Sequence, residues 1–204
     1  MTLKIIDLCS GLGGASEAFI QAGDEVLRIE NNPLLETVQN TELMTVQQFL
    51  SFLIQLVDDG HPLPNIDLIW ASPPCLAFSN AYAAPQSKAQ RDGAVYQPDM
   101  TILKTCMEII DILQPRYYVI ENVSGAVKWF EPLLGAFSQK LVSFFLWGNY
   151  PHIVMPNNWS HSKMDNDTWS SNPLRPNLRG LIPFEVSSSL RGAIVNQRSI
   201  FEYC

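Results

Sequence analysis

Lys4-Ile5-Ile6-Asp7-Leu8-Cys9 is a short, mostly apolar run that breaks into Ser10-Gly11-Leu12-Gly13-Gly14 and resumes as Ala15-Ser16-Glu17-Ala18-Phe19-Ile20-Gln21-Ala22-Gly23. The order is strand, glycine turn, then a helix ended by glycine. Outward from it, Glu25-Val26-Leu27-Arg28-Ile29-Glu30 reads as a second strand. Residues 46–57 read as a helix with apolar positions at Phe49, Leu50, Leu53, Ile54 and Val57. Ile66-Asp67-Leu68-Ile69-Trp70-Ala71 reads as a buried strand stopped by Pro73-Pro74.

A polar loop is expected over residues 79–98, a helix over 100–113 that ends at Gln114-Pro115, and a strand over 117–120 that delivers Glu121-Asn122 at its C-terminal end. Residues 141–147 are a further strand candidate. Residues 148–180, rich in Asn, Pro, Ser and Trp, lack a clear period and are expected to be irregular. Residues 184–201 are expected to form one amphipathic helix with Val186, Leu190, Ile194 and Ile200 facing inward. No internal repeat or low-complexity tract interrupts this order. Strands alternating with helices predict βαβ units and a mostly parallel sheet whose ligands sit at the carboxyl ends of the strands.

Composition sets the outer bounds. A chain of 204 residues is the size of one domain with one core, here residues 1–204. With 47% hydrophobic and 16% charged residues it is globular rather than disordered or fibrous. No run of about 18 apolar residues exists, and residues 1–7 enter a strand pattern without a signal-peptide layout, so a cytoplasmic protein with no membrane segment is expected. Cys9, Cys75, Cys106 and Cys204 lie far apart with no CxxC pair, which suggests neither a metal site nor a disulfide framework. A net charge of -7 opposes tight non-specific DNA binding, so any nucleic-acid site must be a local patch.

Three places carry chemistry, each at a strand's carboxyl end. The glycine turn lets backbone approach a ligand at a helix N-terminus, and Glu30 ends the second strand, where a carboxylate can accept from ribose hydroxyls. No Gly-Lys-Ser/Thr follows, so a nucleoside-type cofactor is expected rather than a phosphate cradle; tight-turn glycines alone are the plain alternative. Pro73-Pro74-Cys75 puts a thiol on a stiff turn at a strand tip, a geometry that fixes a nucleophile. For Cys9, Cys106 and Cys204 the buried structural reading is preferred. Glu121 follows four apolar strand residues, a setting that raises a carboxyl pKa and favours proton donation, and Asn122 can orient backbone or the carboxyl. A cap or loop residue is the plain alternative for Glu121.

Taken in this order, Asp7-Leu8-Cys9-Ser10-Gly11-Leu12-Gly13-Gly14, Glu30, Ser72-Pro73-Pro74-Cys75-Leu76-Ala77-Phe78-Ser79 and Tyr118-Val119-Ile120-Glu121-Asn122-Val123 resemble the DNA cytosine-C5 methyltransferase family. The resemblance covers about residues 3–125. From Phe144-Phe145-Leu146-Trp147-Gly148-Asn149 onward the chain looks closer to its short, often phage-encoded members.

The resemblance implies an α/β, Rossmann-like class I methyltransferase fold and S-adenosylmethionine as cofactor. The implied cofactor residues are Asp7, Cys9, Ser10, Gly11, Leu12, Gly13, Gly14, Glu30, Asn31, Thr45 and Pro73. Cys75 is implied to add to C6 of a cytosine that is flipped out of its stack, Glu121 to protonate N3, and Asn122 to assist. The segment over residues 79–98 is implied to close on the substrate, with Pro74, Ser79, Lys88 and Arg91 as substrate contacts.

Departures from the family pattern are specific. Leu76 stands where a Gln usually touches the DNA backbone, Cys9 where an aromatic commonly packs on adenine, and Thr45 near a missing Asp. The only echo of the downstream Gln-x-Arg-x-Arg motif is Gln197-Arg198, read as chance, and residues 148–180 are too few for a full target-recognition domain. Ile182-Pro183-Phe184-Glu185-Val186-Ser187 resembles the closing motif that returns to the cofactor pocket. The leading expectation is methyl transfer to cytosine in DNA with short or relaxed recognition. The alternatives are a methyltransferase-like module that needs a second subunit for recognition, and the same chemistry on RNA or a nucleotide.

Overall fold

The computed structural model describes residues 2–162 and 171–197. Its strands are β1 (Lys4–Leu8), β2 (Glu25–Glu30), β3 (Thr41–Leu43), β4 (Leu68–Ala71), β5 (Tyr117–Asn122), β6 (Gln139–Leu141) and β7 (Phe144–Asn149). Its helices are α1 (Glu17–Gln21), α2 (Val46–Asp58), α3 (Pro85–Arg91), α4 (Thr101–Leu113), α5 (Val127–Leu134), α6 (Arg175–Gly180) and α7 (Phe184–Val195). The strands form one sheet in the order β3-β2-β1-β4-β5-β7-β6, parallel from β3 to β5, with β7 antiparallel to both neighbours. This is the mostly parallel sheet expected from the alternation of elements, and the Rossmann-like α/β class that the resemblance implies.

Side chains alternate across the pleat, so each strand feeds two cores. Ile6, Ile69 and Ile120 point to one face, where α2 supplies Phe49 and Leu53 and α4 supplies Leu103, Cys106 and Ile109. Ile5, Trp70 and Val119 point to the other, covered by Phe19 of α1 and by Val186, Leu190 and Ile194 of α7. Each such buried side chain contributes about 1.5–3 kcal/mol relative to exposure. The α7 side is latched by polar contacts as well: Arg191 Nε meets Asp24 Oδ2 at 2.7 Å, and the Ala18 amide donates to Ser187 Oγ at 3.1 Å.

The structure departs from the sequence reading at several points. The expected loop over residues 79–98 contains α3, started by Pro85 in the first turn, where its missing N–H is harmless. The expected irregular stretch contains α6, again with a proline in its first turn. One strand over residues 141–147 is instead the β6–β7 hairpin, turned at Val142, whose φ is +54°. β3 and α5 were not expected; β3 is only three residues long, and α5 carries Pro132 inside it. Ile54 and Val57 are exposed, because α2 turns Val46, Phe49 and Leu53 inward. The final helix ends at Val195; Ile200, Phe201, Arg198 and Cys204 lie outside the described residues. Gln197 accepts from the Tyr117 hydroxyl, a tie to the sheet. Among the described residues no helix is long and apolar enough to cross a membrane, and no group of three or more His, Cys, Asp or Glu could hold a metal ion.

Candidate active site

β1 lies between β2 and β4, so the chain winds in opposite directions from the centre of the sheet and leaves a crevice at the strands' carboxyl ends. A cavity of about 330 Å³ occupies this crevice. Asp7 and the turn residues Cys9, Ser10, Gly11, Leu12 and Gly14 line it from β1, and Glu30 and Asn31 line it from β2. Pro73, Pro74 and Cys75 approach from the turn after β4, and Glu121 from the end of β5. Thr45 lines it too, although its hydroxyl is engaged with Gln48 in the capping box that starts α2.

The glycine turn is shaped for close approach. Gly11 and Gly13 have φ of +55° and +77°, which L side chains rarely adopt. A Cβ on Gly14 would collide with the Ile182 carbonyl, and one on Gly13 with the Arg28 guanidinium, so backbone and side chains pack flush behind the turn. Cys9 shares the left-handed conformation at φ +57°. A side-chain hydrogen bond with Cys106, followed by burial, pushes the Cys9 thiol well above its ordinary pKa. Burial is complete for Cys106 but only partial for Cys9, which lines the cavity.

Two carboxylates face this turn. Glu30 is 7% exposed; its Oε2 accepts from the Gly11 amide at 2.8 Å, and its Oε1 from the Asn31 and Asn32 amides, both at 2.9 Å. Three of its four lone-pair directions are filled, leaving one for a ligand. Asp7 is fully buried, with Oδ2 accepting from Ser16 Oγ at 2.6 Å and Oδ1 without a partner. Burial is the largest influence on Asp7 and raises its pKa to about 6, against the lowering effects of Ser16 and Arg28. Ser10 Oγ is likewise buried without a partner beside the cavity. Buried polar atoms are nearly always satisfied, so these two atoms, the one spare direction on Glu30 and the apolar walls from Ile29, Met44, Val46 and Ile102 fit a donor-rich nucleoside.

Asn122, next to Glu121 at the tip of β5, does not line the cavity; it is 1% exposed and donates from Nδ2 to the Pro73 carbonyl at 2.9 Å. It therefore orients backbone, one of the two roles the sequence left open. Gly125 allows the chain after Cys75 to pass close by, since a Cβ there would overlap the Phe78 carbonyl. Gln86 of α3 donates to the Phe78 carbonyl at 3.4 Å and to Asn80 Oδ1 at 3.0 Å, and accepts from Trp129 at 2.7 Å. Tyr96 donates to the Ala77 carbonyl at 2.8 Å, so the segment after Cys75 is closed on itself, and the Trp129 bond to Gln86 ties it to α5.

The other expected substrate residues do not reach the cavity. Ser79 Oγ accepts from the Ala81 amide, Lys88 sits in the last turn of α3, and the Arg91 guanidinium lies 3.9 Å above the Tyr82 ring. Conversely, Pro176 and Asn177 line the cavity from the stretch over residues 148–180 that was expected to be irregular, and Leu181 follows them. Asn172 Oδ1 accepting from the Leu174 amide and Pro176 in the first turn are the local signals for α6. The stretch 182–187 reaches the cavity through Ile182.

Comparison with known proteins follows this geometry. The profile of the C-5 cytosine-specific DNA methylase family matches residues 3–144. The type II methyltransferase M.HgiGI of Herpetosiphon aurantiacus is 29% identical over 130 residues, 61% of this chain and 93% of its own length. The type II methyltransferase M.HgiDI of the same organism is 28% identical over 130 residues, which is only 38% of its length. Among solved structures, the SAM-dependent methyltransferase from Agrobacterium tumefaciens gives a TM-score of 0.40 at 15% identity, covering 72% of this chain and 55% of that one.

Proposed function

The chain belongs to the C-5 cytosine-specific DNA methylase family, and from that footing we propose that it methylates C5 of cytosine in DNA, with Cys75 as nucleophile and Glu121 as the acid at N3. The observation that supports this most is that Cys75 and Glu121, 46 positions apart, line one cavity together with Asp7 and Glu30.

The family's cofactor is S-adenosylmethionine, and the cavity's polar set suits it. Glu30 would take a ribose hydroxyl, Asp7 and Ser10 the other donors, while Gly11 and Leu12 lie along the turn. When bound, the cofactor supplies an electrophilic methyl group.

In the proposed reaction the Cys75 thiolate bonds to C6, and the displaced ring electrons move toward N3 and C5. Glu121 gives N3 a hydrogen bond and proton, so negative charge does not accumulate on the ring. C5 becomes nucleophilic and takes the methyl group. Loss of the C5 proton to a base then returns electrons to the C5–C6 bond and expels the Cys75 thiolate. Asn122 holds the Pro73 carbonyl, and through it the turn that carries the thiol.

Residues 1–204 are read as one catalytic domain working in the cytoplasm, with residues 148–180 in place of a target-recognition domain. The alternative is that a second subunit supplies sequence recognition, since base edges have to be read by some part of the assembly. The test is transfer of labelled methyl from S-adenosylmethionine to cytosine-containing DNA. Transfer is expected to vanish in Cys75→Ser while cofactor binding stays intact; transfer that survives the substitution contradicts the covalent route. Transfer to RNA or nucleotides but not to DNA changes the substrate class.

A further inference from the structure

Behind the glycine turn lies a charged group that the reaction above does not use. Arg28, in the middle of β2, is 1% exposed. Its Nη2 donates to the Gly13 carbonyl at 2.7 Å and to Glu17 Oε2 at 3.0 Å, and its Nη1 donates to the Gln39 carbonyl at 2.9 Å. Its Nε donates to Ser16 Oγ at 2.9 Å, and Ser16 is fully buried.

Ser16 has one hydroxyl proton and two acceptors within reach. Asp7 Oδ2 is at 2.6 Å, whereas the Gly13 carbonyl is at 3.3 Å and already accepts from Arg28. Because the hydroxyl accepts from Arg28, its own proton goes to Asp7. The carboxyl is thereby pinned by one oxygen, and Oδ1 is left as a buried acceptor with no protein partner beside the cavity.

We propose that Arg28 and Ser16 are positioning residues for cofactor binding, which through the series Arg28, Ser16, Asp7 present Asp7 Oδ1 to the ammonium group of the cofactor's amino-acid tail. The inference rests on the functional reading above. Of the donors on S-adenosylmethionine, only that ammonium carries a charge to match a buried carboxylate. Glu30, with three backbone N–H groups already on it, suits a neutral hydroxyl instead. The same guanidinium fills the space that a side chain at Gly13 would need.

The test compares equilibrium binding of S-adenosylmethionine with that of methylthioadenosine, which has the nucleoside and a thioether but no amino-acid tail. Full-length chain is used with Asp7→Asn, Ser16→Ala and Arg28→Lys. Each variant is expected to bind S-adenosylmethionine at least about tenfold more weakly, as befits a lost charge-assisted hydrogen bond, with methylthioadenosine unchanged within about twofold. Ser16→Ala removes one hydroxyl only, so it carries the test if Arg28→Lys fails to fold. Equal loss for both compounds, or loss for neither, overturns the proposal; loss in Asp7→Asn alone overturns the roles of Ser16 and Arg28. If the unaltered chain binds neither compound, the functional reading falls and takes this inference with it.

Discussion

Asn122 Nδ2 lies 2.9 Å from the carbonyl oxygen of Pro73, so the tip of β5 holds the turn that follows β4. The two residues are far apart in sequence, and this bond makes the position of the Cys75 backbone depend on the strand that carries Glu121. A second bond, from the Val123 amide to Asn122 Oδ1 at 2.9 Å, fixes the amide's orientation, so its NH2 group has to face Pro73.

Replacing Asn122 by Ala leaves the Pro73 carbonyl unpaired in a buried setting, at a cost of about 1–3 kcal/mol in stability. Misplacing the turn by a fraction of an ångström is expected to lower kcat by about 100-fold. The cofactor Kd should change far less than kcat, because Asp7, Ser10 and Glu30 are untouched and Pro73 alone of the implied cofactor residues is displaced. Single-turnover methyl transfer and calorimetric binding on the same preparation separate the two effects.

Gly125→Ala tests the closeness of the segment that follows the nucleophile. A Cβ at Gly125 would meet backbone at Phe78 and the Asn80 side chain, so the segment has to shift or the helix after β5 has to move. A loss of about 1–3 kcal/mol is expected, accompanied by slower transfer. Gly192→Ala in α7, where the nearest atom to the new Cβ is 4.0 Å away, is the control; it should gain up to about 1 kcal/mol from helix propensity. Chemical denaturation of both variants decides it, and equal effects would contradict the packing argument.

The legibility of this fold in its sequence follows burial. β1, β2, β4 and β5 are short apolar runs with punctuation after them, because central parallel strands are buried on both faces, and their tips carry the turn, Cys75 and Glu121. The missed parts depend on long-range partners. β3 has only three residues and exists because β2 offers it a parallel edge. Asn177 joins the cavity only after α7 has packed across α1, and no local pattern announces that, whereas Ile182 belongs to the stretch that resembles the closing motif. Arg28 was visible as a charge inside an apolar strand, yet its meaning came from Ser16 and Asp7, which reach it from other elements.

Asp7 gives the account a pH signature. Its carboxyl is raised from 3.8 to about 6, chiefly by burial, while Ser16 and Arg28 lower it and Glu30 raises it. Between pH 4 and 6 the folded chain therefore binds more protons than the unfolded chain, and stability from this group falls as pH rises through that window, by roughly 3 kcal/mol in all. Asp7→Asn should remove that slope, seen as the difference between the two denaturation profiles. Binding of a cationic cofactor runs the other way: affinity should fall as pH drops below about 6, because protonated Asp7 loses its charge. A cofactor Kd that is flat from pH 5 to 8 would contradict it.

The most direct measurement is whether the protein forms a denaturant-resistant complex with DNA containing 5-fluorocytosine in the presence of S-adenosylmethionine. Fluorine cannot leave C5 as a proton would, so the thiolate is not expelled and the Cys75–C6 bond persists. The account predicts a covalent complex that mass spectrometry maps to Cys75 and that Cys75→Ser abolishes. Methyl transfer to ordinary cytosine with no trapped complex on the fluorinated base, or a complex mapped to another residue, would contradict it.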